Sequence, residues 1–174
     1  MDLRIKKTRR SIIDAFLELR TKKSLEKITV KELCERAEIN KSTFYCHYTD
    51  IYDLQNQLET EVITAIINGI STPEDLFQEP RKLVSLWHEA FHAKESLIKT
   101  LFSDSREMRF VEKLEKAIKD CVFEKYPKLL RDNPKLNVAF TYTIYGGFFA
   151  FLRNSQYDSE LILEEIIKLA PEKL

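Results

Sequence analysis

The sequence predicts an all-α protein of about nine helices. Apolar residues recur three and four positions apart, as Val111, Leu114 and Ile118 do, which is the period of an α-helix with one buried face. The strict alternation that is typical of half-buried strands is almost absent. Only three glycines occur in 174 residues, too few for a glycine-rich phosphate loop or a dinucleotide fingerprint. Nucleotide-binding α/β folds are therefore disfavoured.

Capping and helix-breaking residues divide the chain into helical segments. Leu54, Leu58 and Val62 continue the helical period in a segment that is ended by Gly69 and Pro73. Further prolines separate the segments that follow. We expect helices near residues 6–22, 30–37, 41–48, 51–68, 80–93, 95–102, 104–126, 136–154 and 159–169.

Charge is distributed unevenly along the chain. Lys plus Arg and Asp plus Glu both number 28, so the net charge is zero, which by itself argues against a nucleic-acid partner. Residues 1–50 nevertheless hold twelve basic and eight acidic side chains, whereas residues 51–174 hold sixteen and twenty. The overall balance therefore conceals a basic excess in the first third of the chain.

The sequence contains no pattern that predicts export or a membrane span. Cys34, Cys46 and Cys121 lack the spacing of a disulfide framework or a four-thiolate metal site, which favours a reducing cytoplasm. The basic N-terminus is not followed by the apolar stretch of a secretory signal. The segment from Leu136 to Leu152 is 17 residues without a charge, but its polar residues favour a buried helix over a membrane span. We therefore expect a cytoplasmic protein with no membrane partner.

Two short helices joined by a tight turn are predicted between residues 29 and 48. Thr29 and Glu32 have the spacing of a capping box, in which each side chain bonds the backbone of the other residue. The helix that starts there ends near Ala37, and Asn40 is a good N-cap for a second helix through Tyr48. Short helices in this arrangement are typical of a helix-turn-helix motif.

The second of these helices has one apolar side and one polar side. Phe44 and Tyr48 lie four residues apart and are expected to pack inward. The outward side is suited to base edges and phosphates in a DNA major groove, since it carries small hydroxyls, a tyrosine and a lysine at its N-terminal end. The alternative is an ordinary polar surface helix. The outward residues are Lys41, Ser42, Thr43, Tyr45 and Cys46, with His47 at the flank.

Residues 8–54, and above all the segment ITVKELCERAEINKSTFYCHY from Ile28 to Tyr48, closely resemble the DNA-binding domain of TetR-family transcriptional regulators. The resemblance implies an all-α homodimer with a three-helix DNA-binding domain at 1–50 and a helical effector-binding and dimerisation domain at 51–174. It implies a repressor of a palindromic operator, modulated by a small-molecule effector, rather than an enzyme, and no cofactor. The DNA-contacting positions of the family correspond to Thr29, Lys31, Lys41, Ser42, Thr43, Tyr45 and His47.

Two residues depart from the family pattern. Glu38 occupies the turn position where glycine is usual, at a cost of about 1 kcal/mol if that residue is left-handed. Ile51 replaces a common lysine, and the loss of one phosphate contact predicts weaker rather than redirected binding. The four basic residues within Lys6–Arg10, at or before the first helix, are candidates to compensate as an arm on the DNA. Their alternative is a solvated run of charge.

A short metalloprotease motif occurs in the second domain. His88, Glu89 and His92 spell H-E-x-x-H, which on a helix offers two zinc ligands and a general base. A zinc hydrolase is therefore an alternative, but the extended motif is missing and a third ligand is undefined. We instead expect His88 to face the interior, either as a core histidine or as a ligand contact.

Aromatic residues cluster in the second domain, where similar proteins often contain an effector pocket. The same residues at helical spacing are equally typical of a core, and a domain that binds a protein partner is the alternative to one that binds a small molecule. The candidate pocket residues are Trp87, His88, Phe91, Phe110 and Tyr142.

The last two helices have apolar faces that need burial. In similar proteins these helices pair with their counterparts in a second subunit as a four-helix bundle, and packing within one chain is the alternative. The candidate dimer residues are Tyr145, Gly146, Phe149, Leu161, Ile162 and Ile166.

Overall fold

A computed structural model of the protein describes residues 3–69, 84–85, 88–89, 92–103, 107–127 and 133–170. Within these ranges all regular structure is helical, which confirms the predicted all-α fold class. The expected helix at 80–93 lies largely outside the described residues. The α-helices are α1 (Leu3–Arg20), α2 (Val30–Arg36), α3 (Lys41–Tyr45), α4 (Ile51–Asn68), α5 (Glu95–Leu101), α6 (Glu107–Lys125), α7 (Pro134–Arg153) and α8 (Ser159–Leu169), with a 3₁₀ turn at Leu25–Lys27.

The described chain forms two compact units. The first comprises described residues within 1–61 and 96–106, and the second those within 62–95 and 107–174. The two units meet between residues 61 and 62, which lie inside α4. This helix runs without interruption from Ile51 to Asn68. The sequence predicts that the DNA-binding domain ends at residue 50, and this boundary stays a prediction.

The first unit has a core that joins its short helices. Ile12 and Phe16 of α1, Leu33 of α2 and Phe44 of α3 are all fully buried. Tyr48 is also buried, and its ring centroid lies 5.8 Å from that of Phe44. The prediction that Phe44 and Tyr48 pack inward is therefore confirmed.

Polar side chains cap the N-termini of the two short helices α2 and α3, as the local sequence predicts. Thr29 Oγ1 accepts a 3.2 Å bond from the backbone N–H of Glu32, and Asn40 Oδ1 accepts a 2.8 Å bond from that of Thr43. The reciprocal half of the predicted capping box is not formed. The Glu32 carboxylate accepts from Lys23 instead, at 2.5 and 2.7 Å, because a cation attracts a carboxylate more strongly than a backbone amide does.

The second unit is built around α6, α7 and α8. Val111, Leu114 and Ile118, whose spacing predicted α6, are buried, and α7 packs against both α6 and α8. The rings of Phe110 on α6 and Phe148 on α7 lie 5.4 Å apart. In the described part of the chain, no helix has the length and hydropathy that a bilayer span requires.

Candidate nucleic-acid interface

The turn between α2 and α3 has the hydrogen bonds of a Schellman motif. The N–H of Ile39 donates to the carbonyl of Cys34 at 3.0 Å, and the N–H of Glu38 donates to that of Glu35 at 3.4 Å. Glu38 has a φ of 54°, the single positive value among the described non-glycine residues. The left-handed conformation foreseen for this position is therefore present, and a side chain there costs about 1 kcal/mol relative to glycine.

Helix α3 is short and is held by its apolar side. It ends at Tyr45, three residues earlier than predicted, and the N–H groups of His47 and Tyr48 then both donate to the carbonyl of Phe44. Because Phe44 and Tyr48 are buried, the opposite side of the segment faces solvent. Lys41, Ser42, Tyr45 and Cys46 are exposed, and Thr43 and His47 are partly exposed.

Tyr45 is the largest exposed side chain of α3. It is 56% exposed, and its ring packs edge-on against Phe44 with 5.5 Å between centroids. This contact restricts the ring before any ligand is bound, so binding immobilises a side chain that has already lost part of its freedom.

Asn40 accepts more hydrogen bonds at the start of α3 than the sequence predicted. Besides capping the Thr43 N–H, its Oδ1 accepts from the hydroxyls of Ser42 at 2.6 Å and Thr43 at 2.8 Å. The signal for this arrangement was the asparagine followed two and three residues later by hydroxyl residues.

Several basic side chains of the first unit are engaged within the chain. Glu18 pairs with both Lys22 and Arg36, and Arg9 pairs with Glu61. Lys31 lies 3.9 Å from Glu35 with both side chains well exposed, a pair that solvent and salt screen strongly. Among the described residues, the lysines without an ion-pair partner in this unit are Lys6, Lys7, Lys27 and Lys41.

The N-terminal basic residues are helical. Helix α1 begins at Leu3, so Lys6–Arg10 lies within its first turns, and a contact of this run with DNA stays a prediction. Within this run Arg9 is engaged by Glu61, and Arg10 lies 3.8 Å from Asp14. Lys6 and Lys7 are therefore the cations of this run that are available to a phosphate.

The start of α4 is acidic where the family pattern has a lysine. Ile51 is buried, and Asp50 caps the helix by accepting a 2.7 Å bond from the N–H of Asp53, as predicted. Asp53 accepts in turn from the N–H of Thr49 at 2.9 Å. Hydrogen bonds from Gln57 and Thr49 lower the pKa of Asp53, so its carboxylate stays charged at neutral pH. The carboxylates that cap this helix end would oppose the negative charge of a phosphate.

Three of the five candidate pocket residues lie in the described part of the chain, and the pocket stays a prediction. Phe110 is fully buried against Phe148, whereas Tyr142 is 74% exposed. His88 is half-buried, and Trp87 and Phe91 lie outside the described residues. Tyr142 lines a groove of about 120 Å³ that also involves Val84, Thr143, Gly146, Gly147, Ala150, Ile166, Leu169 and Ala170.

The candidate dimer residues fall into two groups. Ile162 and Ile166 are each 8% exposed and form a cluster with Val84 and Ala170 in the same chain. Leu161 is half-exposed and a Cβ on Gly146 would contact nothing, whereas Tyr145 and Phe149 are partly buried. Burial raises the pKa of the Tyr145 hydroxyl, and the Glu115 carboxylate that accepts its hydrogen bond raises it further.

The histidines of the H-E-x-x-H motif pack against each other and against Phe151. Ring centroids are 4.3 Å apart for His88 and His92, and 5.1 Å for His88 and Phe151. Burial, and then the neighbouring His92, lower the pKa of His88, whose Nε2 is buried without a hydrogen bond. Within the described ranges, no group of three His, Cys, Asp or Glu side chains is placed to hold a metal ion.

The first unit thus contains two short helices, a tight left-handed turn and an exposed polar face on the second helix. These are the elements that a helix-turn-helix requires, and its role in DNA binding stays a prediction. In comparisons with known proteins, no family model matches the chain and no curated protein matches it.

Proposed function

We propose that the protein is a TetR-like DNA-binding transcriptional regulator, a repressor that binds a palindromic operator as a homodimer. The observation that carries the proposal is the α2–turn–α3 geometry, in which the buried Phe44 and the left-handed Glu38 hold α3 with its polar side toward solvent. An exposed helix with small hydroxyls, a tyrosine and a lysine fits the major groove of B-DNA.

In this proposal, the lysines bind phosphates and other side chains of α3 contact bases. Lys41 at the start of α3 and Lys31 on α2 are exposed and bind phosphates, as do Lys6 and Lys7 on α1. Tyr45, the large exposed side chain at the C-terminal end of α3, contacts bases. Because α4 presents Asp50 and Asp53 in place of a lysine, one phosphate contact is missing, so affinity is weaker and each protomer adds about 0.9 less to the salt slope.

The homodimer forms through α7 and α8. Support comes from large apolar side chains on these helices that are exposed in the single chain: Val138, Tyr142, Leu161 and Leu169. Val138 and Tyr142 lie one turn apart on α7, and the neighbouring Gly146 permits close approach of a second helix. A twofold dimer presents two α3 helices to half-sites about 34–36 Å apart.

Regulation follows from a difference in ligand affinity between two states of the dimer. A small-molecule effector that binds the DNA-incompetent state more tightly lowers operator affinity by that difference alone. The groove beside Tyr142 has a volume of about 120 Å³. Since small-molecule sites usually measure about 300–1,000 Å³, we assign this groove to contacts between protomers and not to the effector.

Fluorescence anisotropy tests the proposal directly. The purified protein is titrated onto duplex DNA from the region upstream of its own gene and onto a shuffled duplex, across a salt series. Preferential binding to the first duplex with a steep salt dependence is expected. Weak, equal binding to both duplexes, together with no sequence recovered by selection from a randomised duplex pool, rejects the proposal.

A pair of tyrosine variants locates the DNA-binding surface in the same assay. Tyr45→Ala is expected to weaken operator binding at least tenfold, because it removes the largest exposed side chain of α3. Tyr157→Ala is the matched control, since Tyr157 is 60% exposed in the second unit, and it leaves operator affinity unchanged. Equal losses in both variants would mean that α3 is not the reading helix.

A further inference from the structure

We infer that Ser42 reads an amino-bearing base, adenine or cytosine, in the major groove and does not anchor a phosphate. The inference rests on the proposed function and adds to it the chemical class of base that α3 accepts. It starts from the convergence of three donors on Asn40 Oδ1: the backbone N–H of Thr43 and the hydroxyls of Ser42 and Thr43.

The hydrogen bonds define the polarity of each group in this cluster. A backbone N–H only donates, so the Asn40 atom that lies 2.8 Å from the Thr43 nitrogen is the carbonyl oxygen and not the amide nitrogen. A carbonyl oxygen only accepts. The Ser42 hydroxyl, 2.6 Å from the same oxygen, therefore directs its only proton toward Asn40.

Ser42 is bound more closely than Thr43. An amide oxygen has two lone pairs, and the Thr43 N–H occupies one of them, so the two hydroxyls compete for the other. The Ser42 contact is the shorter, at 2.6 Å against 2.8 Å. Ser42 is also exposed, whereas Thr43 is partly buried. Ser42 is thus the hydroxyl that is accessible to DNA and that donates its proton to Asn40 Oδ1.

A hydroxyl whose proton is committed offers only lone pairs to DNA. Phosphate oxygens are acceptors, as are guanine O6 and N7 and thymine O4, so none of them gains a hydrogen bond from Ser42 unless the bond to Asn40 breaks. Adenine N6 and cytosine N4 are donors in the major groove. At the position that Ser42 contacts, the protein should prefer adenine or cytosine over guanine or thymine on the contacted strand.

The test measures the base preference at every position of one half-site. An operator is first recovered by selection with the full-length protein, and each position is then changed to all four base pairs. We expect one position at which adenine and cytosine bind about fivefold more tightly than guanine and thymine, the ratio typical of one neutral hydrogen bond. Ser42→Ala removes this preference and leaves the salt dependence of binding unchanged.

Two Asn40 variants test whether the base preference depends on the hydrogen bond from the Ser42 hydroxyl to Asn40 or on the hydroxyl alone. Asn40→Gly keeps a tolerated N-cap but deletes the acceptor, so the freed Ser42 hydroxyl donates or accepts and the fivefold preference disappears. Asn40→Asp keeps the acceptor, so the preference persists at a lower overall affinity because of the added negative charge. Thermal melting checks that each variant is folded.

The outcomes distinguish this inference from the proposed function. If selection recovers no sequence and no duplex is preferred, the proposed function fails. If an operator is bound but Ser42→Ala alters no position, or alters one that prefers guanine or thymine, the inference fails and the proposed function stands. The inference also fails if Asn40→Gly retains the full preference for adenine and cytosine.

Discussion

The backbone N–H of Ile39 donates a 3.0 Å hydrogen bond to the carbonyl oxygen of Cys34 across the end of α2. This bond turns the chain sharply before α3 begins and so contributes to the direction in which α3 leaves the core. It forms only because the intervening Glu38 is left-handed, with a φ of 54°. The backbone strain of the first unit is therefore located within its proposed DNA-binding motif.

Replacing Glu38 by glycine should stabilise the protein. Glycine adopts the left-handed conformation without the clash of a Cβ, and we expect the free energy of unfolding to rise by about 1 kcal/mol for Glu38→Gly. Glu38→Ala is the matched control, because it also removes the charge but keeps the Cβ. Urea unfolding followed by circular dichroism measures both. An equal gain in the two variants would assign the effect to charge and not to strain.

Arg20 should be among the most sensitive polar positions of the first unit. It is 4% exposed and donates to the carbonyls of Lys23 and Thr100 and to the hydroxyl of Ser103. Arg20→Met keeps most of the apolar stem but leaves these acceptors without their donor, so we expect a loss of about 3 kcal/mol in the free energy of unfolding.

Arg36→Met supplies the comparison for Arg20. Arg36 pairs with Glu18, and its side chain is 43% exposed, so water replaces the lost contact. A surface pair of this kind contributes about 1 kcal/mol or less. Similar losses in the two variants, measured by urea unfolding, would show that burial of Arg20 has no energetic importance.

Lys41→Ala should reduce the salt dependence of DNA binding. Each phosphate contact adds about 0.9 to the slope of log K against log salt, so a homodimer that loses two contacts loses about 1.8. Lys116→Ala removes the same charge from an exposed position on α6 that is paired with Asp120. Anisotropy titrations at four salt concentrations give both slopes. The assignment of Lys41 would be contradicted by a slope equal to that of the parent.

Acid should destabilise the protein partly through His88. Burial lowers the pKa of His88 below its ordinary value of 6.5, so below that pH the unfolded chain binds a proton that the folded chain resists. Unfolding then takes up a proton, and stability falls as the pH drops below the unfolded-state value of 6.5 toward the lowered folded-state pKa. His88→Gln should show a smaller fall in Tm over this range. Parallel curves for parent and variant would remove His88 as a cause.

Sequence reasoning succeeded where the deciding interactions are local. Thr29 and Asn40 cap the helices that follow them, and Phe44 is buried as its spacing from Tyr48 predicts. Each of these features depends on residues no more than four apart, so a short window of sequence contains the information. The left-handed conformation at Glu38 was suggested instead by the resemblance to TetR-family regulators, which usually have glycine at this turn position.

The partner of a charged side chain was predicted less well where several partners lie within its reach. Glu32 was expected to bond Thr29 but is bound by Lys23, and Arg9, one of the candidate phosphate contacts, is bound by Glu61. Long charged side chains reach many neighbours, and their choice depends on where the whole chain places the opposite charge. The single chain buries Ile162 and Ile166, which is the alternative that the sequence left open for these two residues, and the dimer interface stays a prediction.

The sequence by itself determined the helical class, the start of each short helix and the polar outer side of α3, because periodicity and capping act within one or two turns. Only the tertiary structure decided that Arg20 is buried, since its acceptors Thr100 and Ser103 are some 80 residues away along the chain. It also decided which cations remain unpaired for a phosphate. Such contacts depend on how distant segments pack, and no local pattern encodes them.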